Sequence, residues 1–466
     1  MKEACGVVGI MAPGRAVSHL VYDALVALQH RGQESAGMAT WDHEGITVFK
    51  DNGLVASVFN EQSLHSLRGD LAIGHTRYST SGSANWTAAQ PVYRSAGRVG
   101  FALGHNGNLT NTEQLAARAG VLPGMLISDS DVLAQLIAFR CEEGRTLTEA
   151  LAEVLVDVEG AYSLVILGDG VLHGIRDPFG FRPLCLGRLG TEDAPEGWVL
   201  ASESPALEVI GASFVREVRP GELITILDNV VTSVQLLAPR SSEEKLCIFE
   251  FVYFARPDAY LMGHQVHSAR HRMGEALARQ SFVDADLVMG VPDSGVPAAE
   301  GFAAASGIPF GFGLVKNRYI GRTFIAPDQI SRSKGVRRKL NPLRENIEGR
   351  RLIVVDDSIV RGTTTQALVA MLRDAGAKEV HLRISSPPFA WPCFYGIDTP
   401  TREELLASRH SVEEMRAFIG ADSLAFISME NLRSAIGLST ECCDACLTGN
   451  YPAPVPIEFS RVRSST

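Results

Sequence analysis

One stretch in the second half of the chain decides its fold: Val354-Val355-Asp356-Asp357-Ser358-Ile359-Val360-Arg361-Gly362-Thr363-Thr364-Thr365. The apolar run from Arg351 to Val355 precedes the acidic pair, and a helical pattern from Thr364 to Ala375 follows the glycine. The stretch therefore predicts a buried strand, a short loop and a helix. Backbone amides and hydroxyls at the start of a helix can point at an anion, so the loop indicates a phosphate site. For an Asp-Asp pair alone, a solvated turn is the alternative.

A second pattern of strand, loop and helix lies earlier in the chain. Asp286 to Val291 is apolar, a turn with Pro292-Asp293-Ser294-Gly295 follows, and Ala298 to Ala305 is helical in composition. With a further strand from Val380, two βαβ units predict a parallel sheet covered by helices. Ligands bind at the carboxyl ends of the strands in such sheets. The turn and the acidic loop are thus expected to face one site, although a plain Pro-Asp-Ser-Gly turn is the alternative.

The acidic loop resembles the phosphoribosyl-pyrophosphate signature of type I phosphoribosyltransferases. The resemblance implies that Asp356 and Asp357 contact the ribose hydroxyls and that both, with Ser294, approach a magnesium ion. The loop after the acidic pair would hold the ribose 5-phosphate, and the earlier turn the pyrophosphate. The implied binding residues are Asp293, Ser294, Gly295, Lys316, Arg318, Arg322, Asp356, Asp357, Ser358, Arg361, Gly362, Thr363, Thr364 and Thr365.

Basic residues concentrate between the two loops. One group is Lys316, Arg318 and Arg322; the other is Arg332, Lys334, Arg337, Arg338 and Lys339. Such runs are usually solvated surface. In an acidic chain, beside a polyphosphate site, we interpret them as a lid whose positive charge stabilises the departing pyrophosphate.

The first half of the chain carries a series of polar motifs. They are Cys5 before Gly6-Val7-Val8-Gly9-Ile10, Gln29-His30-Arg31-Gly32-Gln33-Glu34-Ser35-Ala36-Gly37, Gly74-His75-Thr76-Arg77-Tyr78-Ser79-Thr80, Gly104-His105-Asn106-Gly107-Asn108 and Ser128-Asp129-Ser130-Asp131. Taken singly, each has an ordinary interpretation: Cys5 as a small buried residue, Asn106-Gly107 as a hairpin turn, Arg77 as a surface ion pair. Amide hydrolysis, however, needs a nucleophile, a base and an oxyanion stabiliser, and the motifs together supply these groups.

The series resembles the N-terminal-nucleophile glutamine amidotransferases over most of residues 5 to 235. A cysteine at the chain terminus carries a thiol and an amine, and the amine can act as base because its unperturbed pKa is roughly 7.7 to 8.0. The resemblance implies that Met1 to Ala4 form a propeptide that is removed. It also implies that Cys5 is the nucleophile and that Asn106 and Gly107 form the oxyanion hole. The implied glutamine-binding residues are Arg31, Arg77 and Asp129.

The eight cysteines of the chain include a C-x-x-C pair, Cys443 and Cys446. Such a pair fits zinc, iron–sulfur or redox chemistry. The contexts of Cys247, Cys393, Cys443 and Cys446 resemble those of the cluster-bearing, Bacillus-type glutamine phosphoribosylpyrophosphate amidotransferases, which implies a structural [4Fe-4S] cluster. Spacing alone leaves tetrathiolate zinc open, and Cys442 could replace a neighbour as ligand.

The resemblance to the cluster-bearing amidotransferases covers nearly the whole chain. It implies a propeptide at 1–4, an α+β glutaminase domain of αββα type at 5–237, and an α/β type I phosphoribosyltransferase domain with a parallel sheet at 245–466. The implied reaction hydrolyses glutamine and delivers ammonia to C1 of 5-phosphoribosyl 1-pyrophosphate, giving 5-phosphoribosylamine, glutamate and pyrophosphate. This reaction is the first step of purine biosynthesis. Members of this family are homotetramers inhibited by purine nucleotides, and the resemblance implies the same for this chain.

Two other functions are weighed against this one. A hexosamine-forming or asparagine-forming glutamine enzyme shares the first domain, but the Asp356 to Thr365 loop argues against it. A regulator that only senses its ligand is opposed by Cys5 and by the basic lid.

Net charge and the lengths of the apolar runs argue against several classes of protein. A net charge of -10 over 466 residues argues against nucleic-acid binding. The short apolar run from Val7 to Met11 is too short for a secretory signal, and no run approaches the roughly 20 residues of a membrane span. We expect a cytoplasmic protein, in which structural disulfides are rare.

Overall fold

The computed structural model describes residues 5–78, 86–97, 99–122, 128–241, 244–317, 339–397, 399, 401–437 and 442–456. The strands of the first half are β1 Gly6–Met11, β2 Ser35–Trp41, β3 Ile46–Asn52, β4 Leu71–Arg77, β5 Val92–Ala96, β6 Val99–Leu109, β7 Gly160–Gly168, β8 Val171–Arg176, β9 Cys185–Gly190, β10 Pro195–Ala201, β11 Ser213–Glu217, β12 Glu222–Leu227 and β13 Val230–Gln235. The helices there are α1 Ser18–Ala27, α2 Val55–Val58, α3 Glu61–Ser66, α4 Thr112–Arg118, α5 Asp129–Glu142, α6 Leu147–Leu155 and α7 Pro205–Glu208.

These strands form two antiparallel sheets, in the orders β11-β9-β10-β1-β4-β2-β3 and β13-β12-β8-β7-β6-β5. Alternate side chains of the two sheets meet in one apolar layer that includes Val7, Ile73, Val165 and Ile224. Helix α1 packs on the outer face of the first sheet, and α4 to α6 pack on the second. Successive side chains of a strand point to opposite faces of the sheet. A sheet whose strands are apolar on both faces must therefore pack against another layer on each face. The layers are therefore αββα, which confirms the predicted fold.

The second half contains a parallel sheet. Its strands are β14 Tyr260–Leu261, β15 His264–Gln265, β16 Leu287–Gly290, β17 Leu314–Lys316, β18 Leu340–Pro342, β19 Arg351–Asp356, β20 Glu379–Ile384 and β21 Ser423–Phe426. The helices are α8 Val266–Gln280, α9 Val296–Ser306, α10 Arg344–Ile347, α11 Thr363–Asp374, α12 Val412–Ile419, α13 Met429–Ile436 and α14 Ala445–Thr448, with a π-helical turn at Glu250–Phe254.

The parallel sheet has the order β16-β19-β20-β21. Helices α8 and α9 cover one face, and α11 and α12 cover the other. Strand β19 is buried on both faces, as its continuous apolar sequence predicts. The acidic loop follows β19 and the Pro-Asp-Ser-Gly turn follows β16, so both predicted loops lie at the same edge of the sheet. Within the described residues, no helix combines the length and apolar character needed to cross a membrane.

The two halves pack against each other through main-chain contacts. The Lys245 nitrogen donates to the Phe179 oxygen at 2.7 Å, and the Cys247 nitrogen donates to the Phe181 oxygen at 3.1 Å. The ring of Phe181 stacks on that of Tyr395 with centroids 4.4 Å apart. The glutaminase and phosphoribosyltransferase boundaries at 237 and 245 stay predictions, but they fall next to this junction.

Candidate active sites

Cys5 lies directly before β1, and its side chain is buried. Its thiol donates to the Tyr78 oxygen, and the Tyr78 nitrogen donates back to the sulfur, each at 3.5 Å. Burial raises the pKa of the thiol; the Tyr78 hydrogen bond and the charges of Arg77 and Arg31 oppose this rise, while the charge of Asp129 adds to it. The structure thus brings together Cys5, Arg31, Arg77 and Asp129.

Arg31 lies behind Cys5. Its Nε donates to the Cys5 oxygen at 3.0 Å, and its two terminal nitrogens bond both oxygens of Glu250 at 2.9 and 2.8 Å. A third partner is Glu203, which also accepts from His30. The Arg31 side chain is 0% exposed. We therefore interpret Arg31 as a residue that positions Cys5; direct contact with glutamine stays a prediction, which these contacts do not favour.

Asn106 and Gly107 lie inside strand β6, not in a hairpin turn, so that alternative is wrong. The reason is pairing: Asn106 lies opposite Ser163 and Gly107 opposite Tyr162 on β7. Gly107 has φ of 155°, and a Cβ there would lie 2.0 Å from the Ala161 oxygen, so no larger residue fits.

The Asn106 side chain is completely buried, and neither its nitrogen nor its oxygen has a hydrogen-bond partner among the described residues. A buried amide without a partner is unusual and indicates that a ligand completes its hydrogen bonding. Strand β6 is tied to the strand that carries Arg77, because His75 Nε2 hydrogen-bonds the His105 oxygen at 3.0 Å.

Asp129 begins helix α5, where Ser128 caps the helix by accepting from the Asp131 nitrogen at 3.1 Å. The Asp129 carboxylate accepts from the Leu109 nitrogen at 3.1 Å, at the end of β6. Negative charge is favoured at this end of a helix. The carboxylate is therefore held between the start of helix α5 and the end of strand β6, where a ligand ammonium could reach it.

The acidic loop and the Pro-Asp-Ser-Gly turn meet in the second half. Ser294 Oγ donates to Asp357 at 2.6 Å, and Ser358 Oγ donates to the other oxygen of that carboxylate at 2.5 Å. Lys316 Nζ bonds Asp293 at 2.5 Å. Burial, together with the charge of Asp357, raises the pKa of Asp356 well above its usual range. Two adjacent buried carboxylates repel each other when both are ionised. A cation beside them would relieve this repulsion.

Helix α11 begins right after Gly362, whose φ is 74°. Its first helical hydrogen bond runs from the Gln366 nitrogen to the Gly362 oxygen at 2.8 Å, so the amides of Thr363 to Thr365 face the end of the helix. This is the geometry that binds phosphate. The Arg361 side chain instead bonds Glu404 at 3.1 Å on the surface. Arg318 and Arg322, and the basic run from Arg332 to Arg338, lie outside the described residues.

The four predicted cluster ligands lie together at the junction of the two halves. Cys247 and Cys443 form a short parallel bridge, in which the Ile248 nitrogen donates to the Cys443 oxygen at 3.0 Å. Burial raises the pKa of all four thiols, and the charges of neighbouring thiols add to the rise for Cys247, Cys443 and Cys446. None is in a disulfide. We call Cys247, Cys393, Cys443 and Cys446 the thiol cluster; Cys442 lies close to it and interacts with Cys247.

Glu250, Arg182 and Glu203 were missed in the sequence. Glu250 joins Arg31 to Arg182, whose Nη1 bonds it at 3.1 Å. The signal was present: Glu250 is a single acid in Phe249-Glu250-Phe251-Val252-Tyr253-Phe254, and Arg182 follows Phe179-Gly180-Phe181. A lone charge in an apolar aromatic run predicts a buried ionic partner.

Two family models match the chain: a glutamine amidotransferase domain at residues 75–209 and a phosphoribosyl transferase domain at residues 265–385. Fold and sites together define a glutamine-dependent phosphoribosyl-transferring enzyme. The amidophosphoribosyltransferases of Mycobacterium tuberculosis and Synechocystis are 51% and 50% identical to the chain, over 98% of its length and 88% and 92% of theirs. The chain belongs to the amidophosphoribosyltransferase family.

A solved structure, the glutamine phosphoribosylpyrophosphate amidotransferase from B. subtilis complexed with ADP and GMP, agrees with this assignment. It matches with a TM-score of 0.88 at 45% identity, over 97% of this chain and 98% of that one. As a member of the family, the protein is a glutamine-dependent pentosyltransferase of purine biosynthesis that aminates 5-phosphoribosyl 1-pyrophosphate. The two alternatives, another glutamine enzyme and a ligand sensor, are thereby set aside.

Proposed function

We propose that glutamine is cleaved by Cys5 in the oxyanion hole of Asn106 and Gly107. The thiolate attacks the side-chain carbonyl carbon, and the Asn106 amide and Gly107 N–H donate to the developing oxyanion. The Cys5 amine takes the thiol proton as the thiolate forms; the C–N bond then breaks, and the nitrogen takes that proton from the Cys5 ammonium and leaves as ammonia. Water hydrolyses the thioester to glutamate and restores the thiol. The observation that carries this proposal is the buried Asn106 amide without a hydrogen-bond partner in the described part of the chain.

The α-amine of Cys5 can act as base only if it is free, so removal of Met1 to Ala4 is part of the proposal. Those residues lie outside the described ranges. Arg77 and Asp129 would bind the α-carboxylate and the α-ammonium of glutamine. Both are supported by their electrostatic interaction with Cys5.

In the second half, ammonia attacks C1 of the phosphoribosyl group as the bond to pyrophosphate breaks, with inversion at C1. Asp356 and Asp357 would accept from the ribose hydroxyls, and Arg361 to Thr365 would hold the 5-phosphate. Ser294 and Gly295 would contact the pyrophosphate, with Lys316, Arg318 and Arg322 above it. Transfer of ammonia through a passage shielded from water keeps it unprotonated.

A magnesium ion would be held by Ser294, Asp356 and Asp357. The fit is supported by the chemistry of the donors, because magnesium prefers carboxylate and phosphate oxygens. It is further supported by the raised pKa of Asp356, which a cation would lower. When bound, the ion neutralises negative charge that builds on the departing pyrophosphate.

The thiol cluster would hold a [4Fe-4S] cluster with a structural role. Its four thiols are unpaired and mutually interacting, which suits four-thiolate ligation. Within the described ranges, no three His, Cys, Asp or Glu side chains converge on a point that could hold one metal ion. Four thiolates also suit zinc. The choice of an iron–sulfur cluster rests on the resemblance of the four cysteine contexts to those of the cluster-bearing amidotransferases.

Three further properties belong to the proposal. Purine nucleotides would inhibit by occupying the phosphate-binding loops, as the ADP and GMP complex of the B. subtilis relative suggests. The enzyme would be a homotetramer, and it would be cytoplasmic.

The decisive experiment compares Cys5→Ser with the wild-type enzyme. We expect the variant to lose glutamine-dependent pyrophosphate release and to keep ammonia-dependent release, because only the first domain uses the thiol. Intact mass of the active wild-type enzyme should lack Met1 to Ala4, and metal analysis should find iron and not zinc. Active enzyme that retained the four residues would exclude the terminal amine as base.

A further inference from the structure

Arg182 is enclosed at the junction of the two halves. Its side chain is 1% exposed, and the residue before it, Phe181, accepts a main-chain hydrogen bond from Cys247 at 3.1 Å. On the opposite side, its Nε donates to the oxygen of Tyr395 at 3.1 Å, and the Tyr395 nitrogen donates to Cys393 Sγ at 3.4 Å. Arg182 therefore lies next to segments that carry two members of the thiol cluster, Cys247 and Cys393.

One nitrogen of the guanidinium is unused. Nε bonds Tyr395 and Nη1 bonds Glu250, but Nη2 has no hydrogen-bond partner in the described ranges. A buried charged donor without an acceptor is costly, so an acceptor that completes the site is expected. The guanidinium interacts electrostatically with the thiols of Cys247 and Cys393, so a sulfur on that side of a bound cluster is a candidate acceptor.

A second nitrogen of the same guanidinium is connected to Cys5 through Glu250 and Arg31. One Glu250 oxygen accepts from Arg182 Nη1 at 3.1 Å and from Arg31 Nη2 at 2.8 Å. Arg31 Nε donates to the Cys5 oxygen at 3.0 Å. The side chains of all three charged residues are buried, so none can exchange its partner for water without moving the others.

We propose that Arg182 donates a hydrogen bond from Nη2 to a sulfur on the Cys247–Cys393 side of the iron–sulfur cluster, and that the Arg182–Glu250–Arg31 chain makes the position of Cys5 depend on that bond. The inference rests on the cluster proposed above. Arg182 and Glu250 are positioning residues: neither reaches glutamine, and both act through the main chain of Cys5. Hydrogen bonds and positive charge near cluster sulfurs raise the reduction potential, and outer-shell partners hold the metal.

The test compares Arg182→Met, Arg182→Lys and a control, Arg383→Met, in the full-length enzyme. Arg383 is also buried, but among the described residues it bonds only the oxygens of Ser281, Leu382 and Ser423, away from the thiol cluster. For each protein we measure the iron and sulfide content, the reduction potential of the cluster and the rate of iron loss to a chelator. We also measure glutaminase kcat and KM.

Arg182→Met is expected to have a lower reduction potential than wild type and to lose iron roughly tenfold faster, the low end for an outer-shell substitution. Glutaminase kcat should fall with little change in KM, while ammonia-dependent synthesis persists. Arg182→Lys, which keeps the charge, should recover part of the potential. Arg383→Met should match wild type in potential and iron loss.

Two outcomes would overturn the inference in distinguishable ways. If wild-type enzyme contains no iron, both the proposed cluster and this inference are wrong. If wild-type enzyme contains iron, but Arg182→Met and Arg182→Lys have the same reduction potential and rate of iron loss, only the role of Arg182 is wrong. If Arg182→Met does not fold, Arg182→Lys and its potential decide the question.

Discussion

Replacing Asn106 by alanine tests whether its side-chain amide serves catalysis or the stability of the fold. The Asn106 amide is buried with no hydrogen-bond partner among the described residues, so its removal breaks no hydrogen bond. An unsatisfied buried polar group costs about 1–3 kcal/mol, and a small new cavity costs about 1 kcal/mol. We expect the Asn106→Ala protein to be as stable as wild type or up to about 2 kcal/mol more stable. Loss of one oxyanion donor should lower glutaminase kcat about 10²- to 10³-fold.

The neighbouring Asn108 provides the matched control. Its Nδ2 donates to the Phe394 oxygen at 2.9 Å across the junction of the two halves. Asn108→Ala removes that bond, which should destabilise the protein by about 0.5–1.5 kcal/mol. Its effect on glutaminase kcat should be far smaller.

Urea unfolding and glutamate release measure the two quantities. Asn106→Ala should lose glutaminase activity and keep its stability, whereas Asn108→Ala should lose stability and keep most of its glutaminase activity. The reasoning fails if Asn106→Ala loses as much stability as Asn108→Ala and retains its glutaminase activity.

Two further predictions concern buried charge. Glu250→Gln should destabilise the protein by about 3–5 kcal/mol in urea unfolding, because it leaves Arg182 and part of Arg31 uncompensated; a loss below about 1 kcal/mol would contradict the buried ion pair. His75 is neutral in the fold because burial lowers its pKa to about 3, from 6.5. The unfolded chain therefore binds the extra proton first as the pH falls, and stability should drop by about 1.4 kcal/mol per pH unit between pH 6.5 and 3. His75→Gln should flatten this slope; equal slopes in wild type and His75→Gln would refute the prediction.

Much of the fold was predictable because the local signals agree with one another. The apolar run before Asp356, the glycine before Thr363 and the helical pattern after it predicted β19, the loop and α11 within one or two residues. Asn106-Gly107 misled the local interpretation, because pairing with a distant strand outweighed the turn preference of the dipeptide.

The sites were predictable in kind but not in detail. Cys5, Arg77 and Asp129 are brought together as the motif order predicts, and so are Ser294 and Asp357. Arg31 was expected to support glutamine binding, but it lies beneath Cys5 in a buried ion pair with Glu250, 219 residues away along the chain. No local pattern indicates which acid such an arginine will meet.

The sequence by itself determined the two domain types, the order of the motifs and the residue classes at each site, because strand and helix periodicity and turn chemistry act over a few residues. Only the tertiary structure decided that Glu250 links Arg31 to Arg182, that the Asn106 amide is left without a partner in the described part of the chain, and that the thiol cluster gathers at the junction. These features arise from contacts between segments far apart in sequence. Burial excludes water there, so a charge or an amide must be satisfied by whatever side chain or ligand the packing brings near it.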